Sequence, residues 1–183
     1  MSTYRLKNLF APRSVALVGA SPRQGSVGRA ILNNIRKAQF KGEFALVNPR
    51  YGEIDGVATV GSLGKLAFAP ELVVITAPAN SIAGLIDEAG RCGAAGAVIV
   101  SAGLGYGPGS FADTAERAAQ KYGMRLIGPN CLGIMMPGAN LNASFSAHMP
   151  GKGNLALISQ SGAIAAGMVD WAAQRAVGFS GIV

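Results

Sequence analysis

Six apolar runs in this 183-residue chain end in small, polar or proline residues. They are Gly19-Ala20-Ser21-Pro22, Asn48-Pro49-Arg50, Ala77-Pro78-Ala79, Ser101-Ala102-Gly103, Gly128-Pro129-Asn130-Cys131 and Ser159-Gln160-Ser161-Gly162. Small residues let a ligand approach the backbone, and proline stiffens a rim without offering an N–H. Such a set suits holding a ligand. It contains no nucleophile paired with a base: Cys131 has no partner histidine, and the single histidine, His148, lies in a polar stretch and reads as a solvated loop residue.

The first stretch, VALVGASPRQGSVGRAI (15–31), reads as a buried strand, a glycine-bearing turn and a helix start. Free amides at a helix N-terminus make such a turn a phosphate site. Gly19, Gly25 and Gly28 are too widely spaced for G-x-G-x-x-G. Gly19 makes the turn, and Gly28 permits close helix–sheet packing. NAD-binding domains place an acid at the second strand end for the ribose hydroxyls. Here Asn48-Pro49-Arg50 stands instead, which suits a phosphorylated ribose, as in NADP or coenzyme A. Arg23, Arg29 and Arg50 are then candidates to converge on phosphate. At the last stretch, Ser159 and Ser161 suit helix capping and oxyanion binding equally.

The elements that must carry these ends alternate. Strand-like runs fall at 14–20, 44–48, 72–78, 97–103, 125–130, 155–160 and 179–183, with helical periodicity at 26–39, 81–91, 110–122 and 162–176 and a short helical turn at 61–67. Strands alternating with helices predict a parallel sheet, and continuous apolar runs predict that both faces are covered. In such sheets ligands sit beyond the carboxyl ends of the strands. The stretch 131–154 is rich in Gly, Pro and Asn and predicts a crossing between units. The expected division is a Rossmann-like domain at 1–136, a crossing at 137–153, and at 154–183 the first βαβ unit of a second, flavodoxin-like α/β domain. The sequence stops inside a strand-like run, so a fragment is expected.

Half the residues are hydrophobic and 14% are charged, which can fill a core and excludes disorder. The net charge of +7 is uneven: residues 1–50 hold nine Lys and Arg against one Glu, the remainder seven against eight Asp and Glu. No aromatic platform is interleaved with the basic residues, so nucleic acid is not an expected partner. No apolar run approaches the ~18–20 residues of a membrane span. MSTYRLKNLFAPRS lacks the apolar core of a signal peptide. Two cysteines, Cys92 and Cys131, make no disulfide framework, so a cytoplasmic setting with free thiols is expected.

Taken together, "SVALVGAS", "VNPR", "SAGLG", "GPNCLG", "LNASF" and "ISQSGA" resemble the CoA-binding α-subunit region of NDP-forming acyl-CoA synthetases, which include succinyl-CoA synthetase and ADP-forming acetyl-CoA synthetase. The resemblance covers nearly the whole chain. "DWAAQRAVGFS" further resembles the synthetase-like region of bacterial protein lysine acetyltransferases. It implies coenzyme A or acetyl-CoA as ligand. ADP or ATP and Mg would act only through regions outside these residues, either further domains of the same protein or a β-type ATP-grasp subunit. The implied cofactor-binding set, taken with the strand ends, is Gly19, Ser21, Pro22, Arg23, Gln24, Gly25, Asn48, Arg50, Pro78, Ser101, Ala102, Gly103, Asn130 and Cys131. Within it, Ser21 to Gly25 match the loop around the pyrophosphate and pantetheine, and Arg50 a phosphate contact. Pro78 falls near the adenine, Ser101 to Gly103 beside the pantetheine arm, and Asn130 and Cys131 near the thiol end. Ser159, Gln160, Ser161 and Gly162 match a helix start that holds phosphate during phosphoryl transfer. The phosphoryl-carrying histidine of the synthetases lies beyond Val183, and His148 does not match it. No catalytic residue and no metal ligand is therefore expected in this stretch. The implied reaction of the whole protein is acyl-CoA + ADP + phosphate ⇌ acid + CoA + ATP. Two other functions are open: a CoA-sensing region of an acetyltransferase, and an NADP-dependent reductase, for which no catalytic pair is present.

Overall fold

The computed structural model describes residues 4–183. A short helix α1 (Leu6–Phe10) leads into β1 (Ser14–Val18), α2 (Val27–Lys37) and β2 (Glu43–Val47). A small hairpin follows, β3 (Glu53–Ile54) and β4 (Val57–Val60), then β5 (Leu72–Ile75), α3 (Ile82–Arg91), β6 (Gly96–Ile99), α4 (Phe111–Lys121) and β7 (Arg125–Ile127). The chain continues through β8 (Gly133–Met136), β9 (Leu141–Ser144), β10 (Lys152–Leu157), α5 (Gly162–Ala173) and β11 (Phe179–Ile182). The first seven strands form one sheet in the order β3-β4-β2-β1-β5-β6-β7. It is parallel except for the β3–β4 pair, as in a Rossmann-like domain.

The apolar runs account for this sheet. Every residue of β1, β5 and β6 is buried. Alternate side chains enter two cores, because successive residues of a strand point to opposite faces. Val15 and Leu17 pack with Ile31, Leu32 and Ile35 of α2. Ala16 and Val18 pack with Ile82 and Ile86 of α3 and Ala115 and Ala119 of α4. Ser26 caps α2 and Ser110 caps α4, each hydroxyl accepting a backbone N–H of the first turn.

The chain leaves β1 toward β2 on one side and returns to β5 on the other. That reversal puts the topological switch point at the β1/β5 ends, where the following loops diverge and open a crevice.

The stretch expected to serve as the crossing carries the β8–β9 hairpin. It joins β10 and β11 in a second sheet, ordered β10-β11-β8-β9. The β10–α5–β11 segment is the predicted βαβ unit, with its strands parallel. Alternation along β8 explains the hairpin's place. Ile134 and Met136 enter the core beneath α2, whereas Met135 joins Val169, Ala172 and Ile182 of the second unit. Among the described residues no helix is long and apolar enough to cross a membrane, and Cys92 and Cys131 are free.

Candidate functional site: a cleft at the carboxyl ends of the strands

The polar residues at the strand ends fasten each end to the next. Asn48 is 8% exposed. Its Nδ2 donates to the Ala20 carbonyl at 2.7 Å, and its Oδ1 accepts from the Arg50 amide at 2.8 Å. The Gly19 amide donates to Val47 O. Thr76 donates through both N and Oγ1 to Val18 O. Ser101 Oγ donates to Ala77 O at 2.6 Å, and the Asn130 amide donates to Ser101 O at 3.0 Å. These bonds link the ends of β2, β1, β5, β6 and β7 into one stiff rim.

Two glycines let the rim close. Gly19 has φ +88°, and a Cβ there would lie 2.9 Å from the Thr76 carbonyl carbon. At Gly28 a Cβ would lie 2.7 Å from Thr76 Oγ1 and 2.8 Å from Ala20 Cα. The first turn of α2 therefore sits directly on the β1/β5 crevice, as the Gly28 reading predicted.

A cleft of about 820 Å³ opens beside this crevice. It gathers Pro78, Ser101, Ala102, Asn130, Cys131 and Gly162 from the predicted set. It also includes Val27, Thr76, Leu132, Phe145, Ala163 and Ala166, which were not predicted. Thr76 was hidden within its apolar run, and Phe145 lies in the LNASF motif, to which no role was attached. Ser159 and Gln160 line an adjoining cleft that also touches Asn130, Cys131 and Gly162. Gln24 and Gly25 border a separate hollow with Ser26 and Arg29. Gly19, Ser21, Pro22, Arg23, Asn48, Arg50, Gly103 and Ser161 lie in none of these three. Ser21 Oγ accepts from the Arg23 amide, and Ser161 caps α5 by accepting from the Ile164 amide.

The three arginines do not act alike. Arg29 is held by Asp55 of the β3–β4 turn, with Nε to Oδ2 at 2.7 Å and Nη2 to Oδ1 at 2.9 Å, and its Nη1 donates to Pro22 O. It ties the loop after β1 to the β3–β4 turn. Arg23 and Arg50 are exposed on the loops after β1 and β2. His148 is exposed, as expected for a loop residue, and lies 3.0 Å from Asp170 of α5.

Cys131 lies half-buried at the base of the cleft. Burial pushes its thiol up from the ordinary cysteine value, against the lowering effect of the Gly133 and Cys131 amides. Its Sγ donates to Ile99 O at 3.4 Å. A protonated, hydrogen-bonded thiol is a packing group rather than a nucleophile. Among the described residues no three His, Cys, Asp or Glu side chains gather as a metal-ligand set.

The site is thus a rigid rim at a switch point beside a cleft with small walls. A family model described as a CoA binding domain matches residues 13–137, more than half of the chain. The chain belongs to the CoA binding domain family. Beyond that domain, residues 152–183 match a model described as a succinyl-CoA ligase like flavodoxin domain. This CoA-binding-domain chain is 38% identical over 181 residues to the ADP-forming acetate–CoA ligase I of Archaeoglobus fulgidus, a match covering 97% of the chain and 26% of that protein. It is 38% identical over 179 residues to the alpha subunit of the ADP-forming acetate–CoA ligase II of Pyrococcus furiosus, covering 96% of the chain and 38% of that subunit. The acetyl-coenzyme A synthetase 1 of Ca. Korarchaeum cryptofilum, solved with phosphate and ADP, superimposes with a TM-score of 0.89 at 33% identity. That match covers 97% of this chain and 39% of that one. The chain thus spans between about a quarter and two fifths of the relatives it matches.

Proposed function

We propose that this chain is the CoA-binding part of an ADP-forming acyl-CoA ligase. The observation that carries the reading is the 820 Å³ cleft, in which the ends of β5, β6 and β7 face the first turn of α5. The residues suit coenzyme A. Arg23 and Arg50 offer charge-assisted hydrogen bonds to its phosphates beside the amides at the α2 N-terminus. Thr76 to Ala79, Ser101 and Ala102 give a narrow wall of small groups for the amide-bearing pantetheine arm. Asn130 and Cys131 stand at the far end, for the thiol. Asn48 acts one step back, holding the rim in register. The Ser159 and Ser161 amides shape this turn by donating to Val183 O and Ser159 Oγ, and Gln160 and Gly162, with Ala163 of the α5 first turn, would offer theirs to an anion. In this reading the division falls near residues 136 and 154. The overall conversion, acyl-CoA + ADP + phosphate to acid, CoA and ATP, needs nucleotide-binding regions of the same protein or a separate ATP-grasp subunit in the cytoplasm.

Calorimetric titration with CoA, dephospho-CoA, NADP and NAD tests the reading. CoA binds saturably and NAD does not. Dephospho-CoA binds more weakly by roughly the 1.5–3 kcal/mol of a hydrogen bond to a charged group, and Arg50→Ala removes that difference. Saturable binding of NADP without binding of CoA would sink the proposal.

A further inference from the structure

Phe145 follows β9 directly, and the fold fixes the chain on both sides of it. Asn34 of α2 donates from Nδ2 to the carbonyls before and after it, Ser144 O at 2.8 Å and Ser146 O at 2.7 Å. The Phe145 amide donates to Leu132 O at 3.2 Å, and the Ser146 amide to Ser144 Oγ at 3.3 Å. Ser144 Oγ donates in turn to Asn142 Oδ1 at 2.6 Å. Ser144 and Ser146 are buried, but the Phe145 side chain between them is 42% exposed and lines the 820 Å³ cleft. Val27, on the first turn of α2, is 40% exposed and lines the same cleft. Among the described residues, these are the two exposed large hydrophobics that border it. None of the described residues lining this cleft has a charged side chain; its polar groups include Thr76, Ser101 and Asn130. Exposed apolar groups scattered singly need no explanation, but two bordering one uncharged cleft mark a place for an uncharged ligand segment.

We infer that Phe145 is a specificity-determining residue of this site. Its ring, with Val27, covers the uncharged arm of coenzyme A and makes the site prefer CoA over a nucleotide that carries the same phosphates without that arm. The inference rests on the CoA reading, which runs the pantetheine arm along the β5 and β6 ends that line this cleft. The phosphates of CoA are charged, whereas the arm carries a geminal dimethyl group, methylene groups and neutral amides. Methyl and methylene groups leave water against an aromatic ring and a valine. A phosphate in a cleft without a cation would lose its water uncompensated. The mounting of the ring adds to the discrimination. With the backbone tied to Asn34 and Leu132 beforehand, little chain freedom is lost when the arm arrives.

Titration of the chain and of its Phe145→Ala and Phe145→Leu variants tests this, with two ligands: CoA, and phosphoadenosine diphosphate, the half of CoA that lacks the arm. Phe145→Ala weakens CoA binding about tenfold and leaves phosphoadenosine diphosphate within about twofold of the parent. Phe145→Leu keeps an apolar cover and holds CoA within about threefold of the parent. An equal loss for both ligands would show that the ring acts through the fold and not on the arm, which overturns the assignment. If Phe145→Ala binds CoA as tightly as the parent does, the assignment falls and the CoA reading stands. If the parent binds neither ligand, the CoA reading itself fails and the assignment goes with it.

Discussion

Cys131 shows how far a residue type misleads without its surroundings. In sequence it is a cysteine on a glycine-proline turn, a position a nucleophile could occupy. In the fold its thiol is half-buried and donates to Ile99 O, and burial raises its pKa. A raised pKa favours the neutral thiol, so the reactive thiolate is scarce at neutral pH. Iodoacetamide at pH about 7.5 should therefore modify Cys131 at least about tenfold more slowly than free cysteine. The rate should still climb above the ordinary thiol pKa, and saturating CoA should block it. Peptide mass spectrometry resolves Cys131 from Cys92, and alkylation of Cys131 as fast as free cysteine would refute the assignment. The arginines teach the same lesson. Arg23, Arg29 and Arg50 are alike in the sequence, but Asp55, more than twenty residues away in the chain, pairs with Arg29.

Helix α2 has an exposed polar face toward the β3–β4 turn and a buried face of Ile31, Leu32 and Ile35. Its first turn is limited by Gly28. Helix propensity alone would favour alanine there by about 1 kcal/mol. The added Cβ would collide with Thr76 Oγ1 and Ala20 Cα, and overpacking of this kind costs about 1–3 kcal/mol. Gly28→Ala should therefore destabilise, lowering the urea midpoint with its slope unchanged. CoA affinity should fall as well, because the α2 amides are lifted from the crevice. A variant as stable as the parent would show that the contact relaxes freely. Elements were legible where periodicity is strong: each of the seven predicted strands and four predicted helices has its counterpart. The short pieces were not: α1, the β3–β4 hairpin and the β8–β9 hairpin are too brief for a period to show, and tertiary contact forms them.

The two sheets are joined by more than the chain. Asn34, on the second half of α2, donates from Nδ2 to Ser144 O at 2.8 Å and to Ser146 O at 2.7 Å. Ser144 and Ser146 are buried. With β8 contributing to cores on both of its faces, this clamp fixes the β8–β9 hairpin against α2. Asn34→Ala leaves two carbonyls unpaired, at about 1–3 kcal/mol. A chain of this size loses roughly 2–4 °C in midpoint for each kcal/mol. Thermal unfolding should register that loss, and hydrogen exchange should accelerate first at residues 141–147. An unchanged midpoint together with unchanged exchange would show that the hairpin docks without the clamp.

The sequence by itself determined the parallel sheet, its ligand edge and the second βαβ unit, because buried apolar runs and turn residues are local signals that survive without contacts. It also singled out most of the cleft's polar lining, since strand ends follow from strands. The tertiary structure alone decided which of those residues line the cleft and which strand ends they fasten together. Asn48 and Ser101 form hydrogen bonds to neighbouring strand ends, and those partners are set by strand order rather than by chain position. Phe145 reaches the cleft only because the hairpin packs beneath α2, and the adjoining cleft exists only where Tyr106 and Ile158, from separate sheets, border one space.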